Sequence, residues 1–221
     1  MELFVTSSRR VTLYHAPRTR SSGVLTLLEE LGADYEVRTL DLKAGEHRAP
    51  AFLSINPLGK VPAIVHGGVI VTEQAAIFIY LADLYPEANL APALDDTLRG
   101  PYLRWLAFHG SSFEPAIVDR AMKRDPGPQA MSPYGSYDTV MDMLKAQLRK
   151  GPYLFGKKIT AADVLWATAL GWTLNAKLVP PNLELLRYVE RFQTRSAVAR
   201  AEAIDEKLNR QLEGEIEHRT G

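Results

Sequence analysis

Apolar and polar positions follow two different spacings along the chain, and the change divides it into two regions. Up to about residue 85, short β-branched runs are interleaved with apolar residues at helical spacing. The pattern predicts strands at 11–14, 35–40, 63–65 and 69–71, and helices at 22–31, 50–55 and 73–84. Gly32 is typical of a helix end, and His66-Gly67-Gly68 is typical of a hairpin turn. The order is therefore βαβ, a connecting segment, and then ββα.

The second region is helical throughout. It follows a polar, proline-containing connector, and its helical spacing is interrupted by proline and glycine clusters, with segments at 98–122, 137–149, 161–173, 183–192 and 197–212. Thr160 and Asp163 have the spacing of a capping box ahead of an apolar run. We therefore predict an α/β domain over residues 9–86 and an all-helical domain over residues 95–221.

Composition limits the chemistry that the chain can perform by itself. Its 221 residues include 26 lysines and arginines against 26 aspartates and glutamates, so no net field attracts nucleic acid or an anionic membrane. Because there is no cysteine, thiol chemistry would need a thiol supplied by a ligand. The five histidines lack metal-motif spacing, so we expect no metal. No apolar stretch approaches the ~20 residues of a membrane span and the start lacks a signal-peptide pattern, so we expect a soluble, cytoplasmic protein.

Two neighbouring pairs of residues are candidates for a binding site. Val61-Pro62 lies between a loop and a strand, where a cis peptide would turn the Val61 backbone outward to pair with an extended peptide. An ordinary strand-entry proline is the alternative. Glu73 and Gln74 open a helix directly after a strand, where free N–H groups favour a carboxylate and Glu73 suits an ammonium group. Alternatively, Glu73 only complements the helix dipole.

Three runs of the sequence resemble the soluble glutathione transferases of the bacterial, theta- or beta-like kind, without settling a class. They are LYHAPRTRSSGVLTLLEELGADYE, INPLGKVPAIVHGGVIVTEQAAIFIYLADLYP and LFGKKITAADVLWA. The resemblance covers almost the whole chain. It implies a thioredoxin-like α/β N-terminal domain followed by an all-α C-terminal domain, and a homodimer.

The resemblance also implies which residues bind glutathione. Val61 would pair through its backbone with the cysteinyl part, and Pro62 would be cis. Glu73 and Gln74 would hold the γ-glutamyl end, with Gln74 standing where many members have serine. The glycyl carboxylate would be reached by Lys60 and His47.

Thiol activation is the chemical problem, because a free thiol is mostly protonated at neutral pH and the thiolate is the nucleophile. Family members supply a Tyr, Ser or Cys near the end of the first strand. Counting back from Gly32 places Tyr14, Arg18 and Arg20 at these three positions respectively, so the register stays open. We hypothesise that Arg20 or Arg18 stabilises the thiolate by charge while Ser21 donates a hydrogen bond. The alternative is that both arginines face solvent or pair with carboxylates.

The second domain should provide a wall for an apolar co-substrate. Aromatic residues cluster in its first helix at Trp105, Phe108, His109 and Phe113. Such a cluster suits an apolar ligand, although aromatics at helical spacing also form plain core.

The sequence thus predicts a glutathione transferase that adds the glutathione thiolate to a small electrophile, with glutathione as co-substrate and no cofactor. Disulfide or adduct reduction with bound glutathione, and a binding scaffold without catalysis, are the alternatives.

Overall fold

The computed structural model describes residues 9–220, with side chains described through residue 214. Every element predicted for the first region is present, with small shifts at the ends. The strands are β1 (Val11–His15), β2 (Tyr35–Thr39), β3 (Ala63–His66) and β4 (Val69–Thr72). The helices are α1 (Ser21–Leu31), α2 (Pro50–Leu53) and α3 (Gln74–Leu84).

The strands form one mixed sheet in the order β2-β1-β3-β4. β1 and β2 are parallel, whereas β1 pairs antiparallel with β3, and β3 antiparallel with β4. Leu13 and Ile64 face each other across the ladder and are fully buried, as are Leu25 and Leu28 of α1. This burial of branched apolar side chains fixes which face of the sheet α1 covers. The arrangement is the expected thioredoxin-like α/β fold.

After α3, the long regular elements of the described chain are helices. The helices are α4 (Arg99–Phe108), α5 (Glu114–Met122), α6 (Tyr137–Leu148), α7 (Ala161–Asn175), α8 (Leu183–Gln193) and α9 (Ser196–Thr220). The segment with helical spacing at 98–122 is helical from Arg99 to Met122, but it is not one continuous α-helix, because a π-helical turn at His109–Phe113 separates α4 from α5. Pro115 follows this turn and has no N–H to donate to the preceding turn, which accounts for the break in the α-helical ladder.

The helix α7 begins with the predicted capping box. The Thr160 side chain accepts from the backbone at Asp163, and the Asp163 side chain accepts from the backbone at Thr160. The buried Asp163 carboxylate also accepts from Leu154 N at 2.8 Å and from the Tyr188 hydroxyl at 2.9 Å. Asp163 therefore connects the start of α7 to a preceding turn and to α8.

Residue contacts divide the chain differently from the predicted domains. The first compact unit ends at Ile77 and resumes at Ala197, and the second runs from Phe78 to Ser196. The helix α9 thus belongs to the α/β unit and not to the helical unit. It is held there by Arg200, whose guanidinium donates to the Glu29 carboxylate at 2.6 Å and to the Glu29 carbonyl at 3.0 Å. Helical spacing identified α9 as a helix but carried no information on its packing partner.

Between residues 9 and 220, every helix is too short or too polar to cross a bilayer. Over the same residues, histidine and carboxylate side chains form no group with the arrangement of a metal site.

Candidate functional site

The loop before β3 is organised by Asn56. Its buried side chain donates from Nδ2 to the Lys60 carbonyl at 2.8 Å, and its Oδ1 accepts from Leu58 N at 3.1 Å. The Val61-Pro62 peptide that follows is cis. Ladder pairing of β3 begins at Ala63, so the Val61 backbone lies outside the paired part of the sheet. An extended ligand could therefore pair with Val61 without displacing a strand.

Gly59 joins this loop to the turn that carries His47. Its φ is +61°, and a Cβ at this position would lie 2.7 Å from the His47 carbonyl oxygen, so glycine is required for the close approach. Arg48 adds a second link, since its Nη1 donates to the Leu58 carbonyl at 3.2 Å. The two residues predicted to bind the glycyl carboxylate, His47 and Lys60, therefore lie on loops that contact each other. Lys60 is exposed and His47 is half-buried.

Glu73 connects β4 to α3 in a left-handed conformation. Its φ is +67°, which is uncommon for a residue with a side chain, and it is exposed. Such conformations concentrate at ligand sites, where the surrounding structure holds them. The next residue, Gln74, is the first of α3, and its Nε2 donates to the Arg20 carbonyl at 3.1 Å. The start of α3 is thereby linked to the residue that precedes α1.

Residues 16–20 connect β1 to α1 and are called the thiol segment below, because thiol activation is predicted there. Ser21, which follows it, is fully buried. Its Oγ accepts from Ala16 N at 3.1 Å and lies 3.0 Å from the Ala16 carbonyl, 2.8 Å from Thr19 Oγ1 and 2.8 Å from His15 Nδ1. Donation from Ser21 to a ligand thiolate stays a prediction, and it would require this buried hydroxyl to give up its bond to one of these protein acceptors.

The other predicted activating residues differ in exposure. Tyr14 is half-buried and packs its ring against Phe52 of α2, with centroids 5.6 Å apart. Arg18 is exposed with φ +59°, and its guanidinium donates to Glu206 at 2.9 Å. Arg20 is exposed and is the N-cap residue of α1. Arg18 is therefore paired with a carboxylate, which is one of the alternatives given above for the two arginines.

Sequence analysis missed a carboxylate that contacts this region from α9. Asp205 Oδ2 accepts from Arg18 N at 2.9 Å, and Oδ1 accepts from Ser22 Oγ at 2.7 Å. The Nε2 of the fully buried His15 lies 3.0 Å from the same Oδ1. Burial raises the pKa of Asp205, but the contacts with His15, Ser22 and the Arg18 N–H outweigh burial and hold this pKa below its ordinary value. No local pattern in the sequence marks such a long-range contact.

The predicted aromatic wall is largely core of the helical unit. Trp105, His109 and Phe113 are buried around Trp166, with ring centroids 5.5, 5.3 and 4.9 Å from the Trp166 ring. Phe108 also contacts Trp166, at 6.2 Å, but it is only half-buried. The burial of these three side chains fits the alternative of plain core, in which they stabilise the unit by packing, and the ligand wall stays a prediction.

Both halves of the chain match models of known domain families. The N-terminal domain model of the glutathione S-transferases matches residues 9–83, and the C-terminal domain model matches residues 134–192. Glutathione S-transferase F10 from Arabidopsis thaliana is 31% identical over 168 residues, which are 70% of this chain and 76% of that protein.

Solved structures agree. A glutathione transferase from Methylococcus capsulatus has a TM-score of 0.75 and 31% identity, covering 89% of this chain and 98% of that one. A sphingomonad glutathione S-transferase solved with glutathione has a TM-score of 0.74 and 30% identity, covering 88% of this chain and 98% of that one. Matching domain models, sequence and fold together lead to one conclusion: the chain belongs to the glutathione S-transferase family of enzymes.

Proposed function

We propose that this enzyme binds glutathione in the α/β unit, stabilises its thiolate and transfers it to a small electrophile. The observation that carries the proposal is the position of Glu73. This acidic residue is held in a left-handed conformation before the start of α3, and its neighbour Gln74 is bonded to Arg20, the last residue of the thiol segment. The proposed position for the charged γ-glutamyl end, at Glu73 and Gln74, is thus next to the segment where the thiol would lie.

Each part of glutathione has a matching group in this unit. The γ-glutamyl end carries a carboxylate, which suits the free N–H groups at the start of α3, and an ammonium, which suits Glu73. The backbone of Val61, outside the sheet ladder, suits the peptide group of the cysteinyl part. Lys60 and His47, on their two contacting loops, suit the glycyl carboxylate.

Thiolate stabilisation is assigned to Arg20 and the N-terminus of α1. The positive end of a helix dipole and an adjacent guanidinium both favour the ionised form of a thiol. Arg20 is exposed and directly precedes the first turn of this helix. The Arg18 guanidinium is bonded to Glu206. The charge of Arg18 is therefore partly compensated before any ligand binds.

Titration of bound glutathione by thiolate absorbance tests this assignment. We expect Arg20→Ala to raise the thiol pKa by about one unit, the lower end of the effect of an adjacent charge. Arg18→Ala should change it less. Arg38→Ala is the matched control, because Arg38 is an exposed arginine of β2 that contacts Glu36. A thiol pKa that is unchanged in Arg20→Ala would remove Arg20 from the mechanism.

Two further measurements separate the alternative functions. Calorimetry with glutathione at millimolar concentration tests binding, and absence of binding would favour a scaffold without catalysis. A conjugation assay with an aromatic halide, run beside a reductase assay with a glutathione mixed disulfide, tests the reaction type. Because the chain has no cysteine, reduction would have to use bound glutathione as the attacking thiol.

We also propose that the protein is a homodimer and is located in the cytoplasm. Sedimentation at micromolar concentration tests the first, and a single species of monomer mass would contradict it. Fractionation of cells that express the protein tests the second.

A further inference from the structure

Asp205 of α9 contacts the region around the thiol segment at three points. Its Oδ2 accepts from the backbone of Arg18, its Oδ1 accepts from Ser22 Oγ, and the same Oδ1 lies 3.0 Å from His15 Nε2. The Asp205 side chain is only 14% exposed. One carboxylate therefore contacts the end of β1, the middle of the thiol segment and the first turn of α1.

These contacts continue into a second layer of hydrogen bonds. The other ring nitrogen of His15, Nδ1, lies 2.8 Å from Ser21 Oγ, and that hydroxyl accepts from Ala16 N. Thr19 adds a bond from Oγ1 to the Ala16 carbonyl at 2.7 Å. The Asp205 side chain thus contacts the thiol segment directly, at the backbone N–H of Arg18, and indirectly, through His15 and Ser21.

Anchoring of α9 does not by itself require Asp205. Arg200, on the same helix, is bonded to the side chain and the carbonyl of Glu29 near the end of α1, away from the thiol segment. The two contacts differ in what they hold. Arg200 attaches α9 to the helix α1, whereas Asp205 attaches α9 to the thiol segment.

We propose that Asp205 is a positioning residue for thiol activation, which holds the thiol segment so that Arg20 and the N-terminus of α1 face the sulfur of glutathione. This inference rests on the proposed function. The role is geometric, because a carboxylate near a thiolate disfavours it electrostatically. If Asp205 acted by charge alone, its neutralisation would lower the thiol pKa of bound glutathione. If it acts by position, the same change raises that pKa.

The test compares Asp205→Asn with Arg200→Gln, which removes a charged anchor of α9 without touching the thiol segment. Amide hydrogen exchange of residues 16–22 is measured first, without ligand. We expect exchange to rise about tenfold or more in Asp205→Asn, the size expected for losing a hydrogen bond to a charged group, and to stay near wild type in Arg200→Gln.

Glutathione-dependent readouts follow on the same proteins. Asp205→Asn should raise the thiol pKa of bound glutathione and lower kcat about tenfold, as misplacement of reacting groups does, while Arg200→Gln should leave both close to wild type. Equal effects in the two variants, or a lowered thiol pKa in Asp205→Asn, would overturn the inference. Lack of glutathione binding by the wild type would refute the proposed function. The positioning role has its own test, because unchanged amide exchange at residues 16–22 in Asp205→Asn would refute it whether or not glutathione binds.

Discussion

The side-chain amide of Gln74 donates from Nε2 to the backbone carbonyl of Arg20 at 3.1 Å. This bond joins the first residue of α3 to the residue before α1, so the N-termini of α1 and α3 are linked directly. Both helix ends carry the positive end of a helix dipole. In the proposed mechanism one receives the γ-glutamyl carboxylate and the other the thiolate, so Gln74 would couple substrate binding to thiol activation.

Replacing Gln74 by Glu tests this coupling with almost no change in size. The variant loses the donor to Arg20 and places a negative charge beside the expected ligand carboxylate, so glutathione affinity should fall about tenfold or more. The free energy of unfolding should not fall correspondingly, because an acidic residue is favourable in the first turn of a helix. Calorimetry and urea unfolding measure the two quantities. The variant Gln74→Ser introduces the residue that many family members have here, and its glutathione affinity should stay within a few-fold of wild type. A loss of affinity as large as that in Gln74→Glu would argue against a charge effect.

Glu73 should show opposite effects on stability and binding. Glu73→Gly relieves a left-handed conformation and should raise the free energy of unfolding by about 0.5 to 1 kcal/mol, while removal of the carboxylate weakens glutathione binding. Glu73→Gln is the matched control, because it keeps the backbone strain and loses only the charge. The Glu73→Gln variant should bind glutathione as weakly as Glu73→Gly does, and its free energy of unfolding should equal that of the wild type. Wild-type affinity in both variants would show that the ammonium group is bound elsewhere.

Asp163 should be among the most sensitive positions of the helical unit. Its buried carboxylate accepts from Leu154, Thr160 and Tyr188, so Asp163→Ala leaves several buried donors without a partner. The free energy of unfolding should fall by about 3 kcal/mol or more. Asp142→Ala, which removes an exposed partner of Lys145, should cost less than about 0.5 kcal/mol. Similar urea midpoints for the two variants would contradict the structural role of the capping box.

The lowered pKa of Asp205 predicts a specific dependence of stability on pH. A carboxylate whose folded pKa lies below its unfolded value stabilises the protein above the unfolded value, and this contribution is lost as pH falls through the folded pKa. The difference in unfolding free energy between wild type and Asp205→Asn should therefore stay constant from about pH 7 to 5 and shrink below about pH 4. Urea unfolding at a series of pH values measures it. A difference that grows on acidification would mean that the folded state favours the protonated carboxyl group.

Features determined by neighbouring residues could be predicted from the sequence. The strand entry made a cis peptide at Val61-Pro62 one of two alternatives, and the resemblance to the family implied it. The strand–helix junction predicted the start of α3 at Glu73, one residue before its observed start at Gln74. The capping box at Thr160 and Asp163 is equally local. For the glutathione site, sequence reasoning therefore located the backbone framework, while the binding roles remain proposals.

Features determined by packing could not be predicted. Ser21 has a hydroxyl near the expected place, but its burial depends on His15 and Ala16, and no sequence spacing shows that. Trp105 and Phe113 have the spacing of a helix face, and only the tertiary structure shows that this face meets Trp166. Asp205 was missed because its partners at the end of β1 are far away in sequence.

The return of α9 to the α/β unit bears on how the protein is made. Translation produces β1 and the thiol segment first, but Asp205 emerges only after the whole helical unit has been synthesised. Until then His15 and Ser22 lack the carboxylate that they contact in the finished protein. A polypeptide released before α9 would therefore lack the contacts through which Asp205 is proposed to position the thiol segment, so that segment would take its final arrangement only late in synthesis.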